Sequence, residues 1–299
     1  MKNVNISNLK YYWKSYLLVV IPLALVFLFS YYPIFNGLVH MFYRWDGDTI
    51  SEFIGFGNFV KMFHDTLLWR SFAVLGIFCI ASLFKMVPPI IASVILHHIR
   101  SDKMQYLYRV LFVIPMIVPS VVWVLIWKYY YEPNMGLFNQ LLRQMGFLGA
   151  TETIQWLSDK NLIIPSLIFC GFPWIGAFGV LIYLAGLQGI GQDIYEAADL
   201  DGACPLRVFW NIEMPLITTQ IRINLMLVII GTLQEWSFVY LFLGESGGPD
   251  GVAMIPGLYI FKEAFSKGFF GYGCAIGFVL FVLTLILTWI NNRYMRIEK

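Results

Sequence analysis

Charge is scarce in this sequence. Only 13% of its 299 residues are charged, the formal net charge is +2, and no long Lys/Arg run occurs. Phosphate backbones are held by concentrated basic patches, so nucleic acid is excluded as a partner. Cysteine is sparse as well: Cys79, Cys170, Cys204 and Cys274 lack metal-ligand spacing, and they read as small hydrophobes. The four histidines, His40, His64, His97 and His98, lie scattered near the ends of apolar runs and in loops without a His-Glu-x-x-His pattern, so no metal site is expected. A Gly-x-x-x-x-Gly-Lys-Ser/Thr phosphate loop is also missing, which excludes ATP hydrolysis by this chain in the usual way. The apolar runs hold no paired aspartates, Ser/His pair or His/Glu motif, so an intramembrane enzyme finds no support either.

What the sequence has instead is hydrocarbon. Hydrophobic residues make up 59% of the chain and aromatics 18%, and mean hydropathy is +0.70. Such a chain is solvated by lipid. A bilayer core of about 30 Å takes roughly 20 apolar residues in a helix, because a helix satisfies its own backbone there. Six windows of this kind occur, at 16–39, 71–96, 110–127, 162–187, 223–243 and 269–291. They predict an all-α integral membrane fold of six transmembrane helices, in one domain covering 1–299. Only the second and fifth windows carry charge, as Lys85 and Glu235. The first window follows Lys2, Lys10 and Lys14, but its length and the lack of a small-residue cleavage site favour a retained anchor over a signal peptide.

An even number of spans puts both termini on one side. Lys2, Lys10 and Lys14 before the first span, Arg293, Arg296 and Lys299 after the last, and Arg100, Lys103 and Arg109 in the second connection assign that side to the cytoplasm. The bias is modest, with eleven Lys/Arg inside against eight outside. Prolines 88, 89, 115, 119, 165 and 173 and glycines 171 and 176 interrupt the windows. They fit either kinked helices around a cavity or close helix packing.

Between the fourth and fifth windows runs a connection of about 35 residues, long for a simple link and rich in acids. From Asp193 to Leu200 it favours a helix with acids at its N-terminal end, and Gly202 supplies the backbone freedom that ends one. Pro205 then suits the first turn of a second segment. Tyr195, Ala198 and Leu200 to Ala203 offer a small, apolar surface suited to another protein's groove.

Here the chain resembles a known family, the membrane subunits of bacterial ATP-binding-cassette importers. Their loop signature, Glu-Ala-Ala, three residues, Gly, nine residues, Ile-x-Leu-Pro, is met by Glu196-Ala197-Ala198, Gly202 and Ile212-Glu213-Met214-Pro215, with Met214 replacing the usual Leu. That exchange keeps volume and polarity. Further stretches are similar to the sugar-importer branch and its maltose-type first permease subunit: Phe56-Gly57-Asn58-Phe59, with Phe for the usual Tyr and a shortened spacing from Gly55, Arg109 to Pro115 with Trp127, Gly136-Leu137-Phe138-Asn139, Gly247-Gly248-Pro249, Ala264-Phe265 and Gly271-Tyr272-Gly273.

The resemblance implies a bacterial inner-membrane permease, multi-pass, that forms a heterodimer with a second permease subunit. Two ATPases and an extracytoplasmic solute-binding protein would complete the importer. It is then a transport subunit and not an enzyme; ATP and Mg would be bound by the ATPases, and this chain would need no cofactor. The coupling loop at 192–215 would receive an ATPase through Tyr195, Glu196, Ala197, Ala198, Asp201, Gly202, Ala203, Ile212 and Pro215. A sugar or oligosaccharide is the implied solute, with glycerol phosphate, a polyamine or an amino acid as the alternative. Lys85 and Glu235 are costly in a bilayer and mark a cavity or a pair. Counted along their helices, Lys85 lies roughly 16 Å and Glu235 roughly 18 Å from the inner end. An internal ion pair and separate contacts to solute hydroxyls are both open. Trp174, Gln234, Trp236 and Tyr240 are further candidates for the path, since aromatic faces and amides suit sugar rings.

Overall fold

The structure, a computed structural model, describes residues 13–49 and 51–294; Lys2, Lys10, Arg296 and Lys299 lie outside the described residues. Helix α1 (Trp13–Val26) passes through a wide turn into α2 (Tyr32–His40). A hairpin of β1 (Tyr43–Trp45) and β2 (Ser51–Phe53) follows, then α3 (Gly57–His64), α4 (Thr66–Phe84) and α5 (Val87–His97). Next come α6 (Asp102–Val113), α7 (Ser120–Tyr130), α8 (Leu137–Gln144), α9 (Ile163–Phe169) and α10 (Ala177–Leu187). The long connection holds α11 (Gln192–Leu200), α12 (Pro205–Val208) and α13 (Met214–Leu216). The chain ends with α14 (Thr218–Gln234), α15 (Ser237–Leu243), α16 (Pro256–Phe261) and α17 (Phe270–Tyr294).

Three stretches, Tyr16–His40, Thr66–His97 and Phe270–Arg293, are each long and apolar enough to cross a bilayer, and the count reaches at most six where each of three bent helix pairs is taken as one span, two of those pairs including α11 or α12–α13. All six expected windows fall on largely helical chain, and the third, fourth and fifth are interrupted. In the third, the helices on either side of Val118–Pro119 meet at 91°. A residue before proline is pushed out of the helical region, and Val118 is extended at φ −69°, ψ 123°. The fourth window breaks between α9 and α10, where Gly171 (φ +85°) and Trp174 (φ +59°) take left-handed backbone beside Pro173. In the fifth, α14 starts five residues early, at Thr218 rather than 223, and stops at Gln234. The hairpin is a small exception to the all-α reading; it pairs Tyr43 with Phe53 and Arg44 with Glu52.

The sequence, which has no linker, reads as one domain, whereas the contacts group residues 1–64 with 260–279, and 65–259 with 280–299. Each group is assembled from separate stretches of chain, so no linker marks it. In the first group, every side chain from Tyr16 to Phe35 is exposed, as on a helix bathed in lipid. Asn58 is buried and its Nδ2 donates to the carbonyls of Met41 and Tyr43, each at 2.9 Å, so it pins the hairpin's start to α3. The buried carboxylate of Glu263 is held by Lys267 and by Lys61 at 3.7 Å.

In the second group, α5 packs on α10 through Ala92, Leu96, Val180 and Leu184, and Gly179 lets Pro89 approach closely. Asn139, fully buried, donates to the carbonyls of Pro133 and Ile154 and accepts from Trp156 Nε1 at 3.0 Å, which closes the loop around α8. The Asp65 carboxylate caps α4 through the Leu68 amide and accepts a 2.6 Å bond from the Tyr259 hydroxyl.

Gly271 gives a test of the first group. A Cβ there would lie 2.1 Å from the Tyr43 carbonyl oxygen, whereas one at Gly277 would meet nothing within 4 Å. Gly271→Ala is expected to cost about 2 kcal/mol or more through forced backbone movement. Gly277→Ala should leave the thermal midpoint in detergent unchanged or raised.

Candidate docking loop and translocation cavities

The connection between α10 and α14 is built by local backbone chemistry. Asp193 sits in the first turn of α11, where a negative charge favours the helix start. At the other end Gly202 is left-handed, φ +64°, so that its amide reaches the Asp199 carbonyl at 3.1 Å while the Ala203 amide reaches Ala198 at 2.9 Å. This pair of reversed bonds satisfies the orphan carbonyls of a helix end. Pro205 then opens α12, after which a wide turn over Phe209–Glu213 leads through Pro215 to the buried Ile217.

The loop has two faces. Glu196, Ala197, Asp199, Leu200, Asp201 and Gly202 point outward, and Leu200 is 90% exposed. Leu206 and Trp210 add apolar exposed surface, with Pro215 also exposed. Ile194 and Tyr195 are half-buried and Ala198 is buried; Ala203 and Ile212 are intermediate. Tyr195 and Ala198 therefore do not belong to the outward surface proposed for them from the sequence, because helical periodicity turns positions 194, 195 and 198 to one side.

That inner side meets a polar cluster missed at the sequence level. Glu213, 1% exposed, accepts a 2.7 Å bond from His98 Nε2 and a 3.3 Å bond from the Tyr195 hydroxyl on the same oxygen, Oε1. The rings of His97 and His98 lie 5.6 and 5.9 Å from that of Tyr195. Burial, and then the adjacent Glu213 carboxylate, push the Tyr195 phenol up, so it stays a donor. The signal available in the sequence was an acid lodged in the apolar run Ile212 to Pro215.

Two cavities open among α4, α5, α9, α10 and α14. The larger, about 700 Å³, is lined by Lys85, Pro89, Trp123, Trp174, Phe178 and Asn224, among others. The smaller, about 320 Å³, includes Lys85, Thr232 and Glu235. Ser82, Lys85 and Val228 line both. Hydroxyls of Ser82 and Thr232 share a 3.0 Å bond, and Asn224 donates to the Tyr183 hydroxyl at 2.7 Å.

Lys85 and Glu235 thus share a cavity wall, yet no ion pair joins them. Glu235 Oε1 is taken by the amides of Trp236 and Phe238, at 3.0 and 2.9 Å, and by the Ser237 hydroxyl at 2.9 Å. It caps the broken fifth span. Lys85 instead lies with its Nζ 5.7 Å from the Trp174 ring centre. Gln234, Trp236 and Tyr240 are not among the residues lining either cavity; Trp236 and Tyr240 contact each other at 5.8 Å between ring centres.

A bundle of apolar, broken helices around internal cavities, with a glycine-capped helical loop presented outside it, defines a polytopic membrane transport component. The chain belongs to the family described as binding-protein-dependent transport system inner membrane component, whose profile matches residues 89–296. It is a permease subunit of an ABC transport system and not an enzyme. It is 27% identical to the probable ABC transporter permease protein YurN of Bacillus subtilis, over 94% of this chain and 96% of that one. It is 29% identical to the lactose transport system permease protein LacF of Rhizobium radiobacter, over the whole of both chains. Its fold matches a chain in the crystal structure of a bacterial ABC transporter that imports the acidic polysaccharide alginate, with a TM-score of 0.84, 20% identity, and coverage of 98% and 99%.

The cap at Glu235 predicts the outcome of a double-mutant cycle. Glu235→Ala should cost about 1–2 kcal/mol in the thermal unfolding of the detergent-purified protein, as loss of a helix cap does. Combined with Lys85→Met the losses should accumulate, with none of the mutual rescue that removing both partners of an ion pair gives.

Proposed function

We propose that this subunit carries a sugar or oligosaccharide inward, past the cavity walled by Trp174 and Lys85, while an ATPase docks on its α11–α12 loop. One observation carries the docking reading: α11 ends in an exposed tip, with Leu200 90% exposed beside Glu196 and Ala197. Apolar surface that projects into water on a rigid, capped helix suits a groove on a partner. With no phosphate loop of its own, the subunit takes its energy through that contact.

The saccharide reading is supported by the whole-length likeness to a lactose-system permease and by the fold shared with an alginate importer. The cavity's chemistry agrees. Trp123 and Trp174 offer flat aromatic faces, and Ser82, Thr232 and Asn224 supply hydroxyl and amide groups. A second permease subunit presents the equivalent loop to a second ATPase, and an extracytoplasmic binding protein delivers the solute. Both termini and the α11–α12 loop lie on the cytoplasmic side, in keeping with Arg100, Lys103, Arg109, Arg207 and Arg222 on the same connections.

Gly202 supplies the test. Nothing lies within 4 Å of a Cβ placed there, so a side chain meets only the cost of the left-handed backbone, about 1–2 kcal/mol, at the docking tip itself. Gly202→Asp should insert and fold like the unaltered subunit while losing co-purification of the ATPase and solute uptake together. Full ATPase retention with normal uptake would refute the docking role.

A further inference from the structure

Glu213 makes contacts that the docking surface does not require. It sits on the return segment of the loop, 1% exposed, with Oε1 bonded to His98 and Tyr195 and Oε2 buried without a partner. Burying a carboxylate costs several kcal/mol, which an apolar side chain at this packed position would avoid. The cost is offset where the charge draws separate segments together. Here one oxygen draws together three: the end of α5 through His98, α11 through Tyr195, and the return segment itself. α11 is closed at Gly202 by its own backbone bonds, and the side-chain link adds a polar tie between its inner face and the end of α5.

The far end of α5 reaches the cavities. Met86 and Pro89, at the start of that helix, line the larger cavity, next to Lys85, which lines both. An eleven-residue helix spans roughly 16 Å.

We propose that Glu213 is a positioning residue that clamps the docking helix to the inner end of α5, so that displacement of α11 by the ATPase is passed along α5 to the cavity wall. The clamp rests on the docking reading above. It adds a specific transmission element: a carboxylate with two donors, and a helix strut between loop and cavity. Tyr195 serves as the arm of the docking helix and His98 as the arm of the strut.

The test uses the assembled importer with its ATPases, in lipid, with the four native cysteines replaced and a single reporter cysteine at Ser82, which lines both cavities. The readout is the rate of maleimide alkylation at that cysteine with and without Mg-ATP and vanadate. In the otherwise unaltered complex the nucleotide changes this rate. With Glu213→Ala the nucleotide-dependent change should fall by roughly tenfold, the factor that loss of a charge-assisted hydrogen bond takes from an equilibrium. ATPase co-purification should stay intact, and Glu213→Gln, whose amide oxygen still accepts from both donors, should restore much of the response. An undiminished response in Glu213→Ala with the ATPase bound would overturn the clamp and leave the docking reading standing. Absence of the ATPase from the otherwise unaltered complex would instead overturn the docking reading itself. Should Glu213→Ala fail to assemble, Tyr195→Phe decides: it removes one oxygen and keeps the ring, and an intact nucleotide response there overturns the clamp.

Discussion

In hydrocarbon a backbone amide without a partner has no water to turn to, and the architecture of this permease follows from that constraint. Helix is the cheapest answer, and the runs at Tyr16–His40, Thr66–His97 and Phe270–Arg293 adopt it for nearly their whole length. The informative places are where the chain departs from it. At the break after Gln234 the Glu235 side chain supplies the acceptor that the interrupted helix lacks, bonding the amides of Trp236 and Phe238. Between α9 and α10 the left-handed backbone at Gly171 and Trp174 lies against the larger cavity. Irregular backbone is thus found beside internal space, which is what a path through a membrane needs.

The same economy shapes the loop outside the bundle. Gly202 closes α11 on itself with two reversed hydrogen bonds, so the exposed tip keeps its shape without help from a partner. Its inward face is then free to hold Tyr195 against Glu213 and His98. A stiff helix with a polar anchor underneath suits the transfer of a push; a floppy connection would absorb it.

Several features were legible in the sequence because they depend on neighbours along the chain. The six apolar windows, the short helix from about Asp193 and the turn at Gly202 all follow from local hydropathy, propensity and backbone freedom. The motif residues Asn58, Asn139, Gly248 and Gly271 were visible as points of resemblance, and the fold explains them as amide staples, a left-handed turn and a close approach. Other readings shifted. Lys85 and Glu235 share a cavity wall, but the carboxylate is spent on a helix cap, a competitor that a charge count does not weigh. Tyr195 and Ala198 turned inward, since the side a short helix presents to solvent is set by what packs beneath it.

By itself the sequence determined that lipid is this protein's solvent, roughly where it crosses, and that its long loop resembles the loop signature of importer membrane subunits. These are properties of short segments, written in hydrophobicity and spacing. Only the tertiary structure decided which polar groups meet: His98 with Glu213, 115 positions apart, and Ser82 with Thr232, 150 apart. Such meetings depend on how helices pack, and a hydrogen bond fixed by packing leaves no periodic trace along the chain.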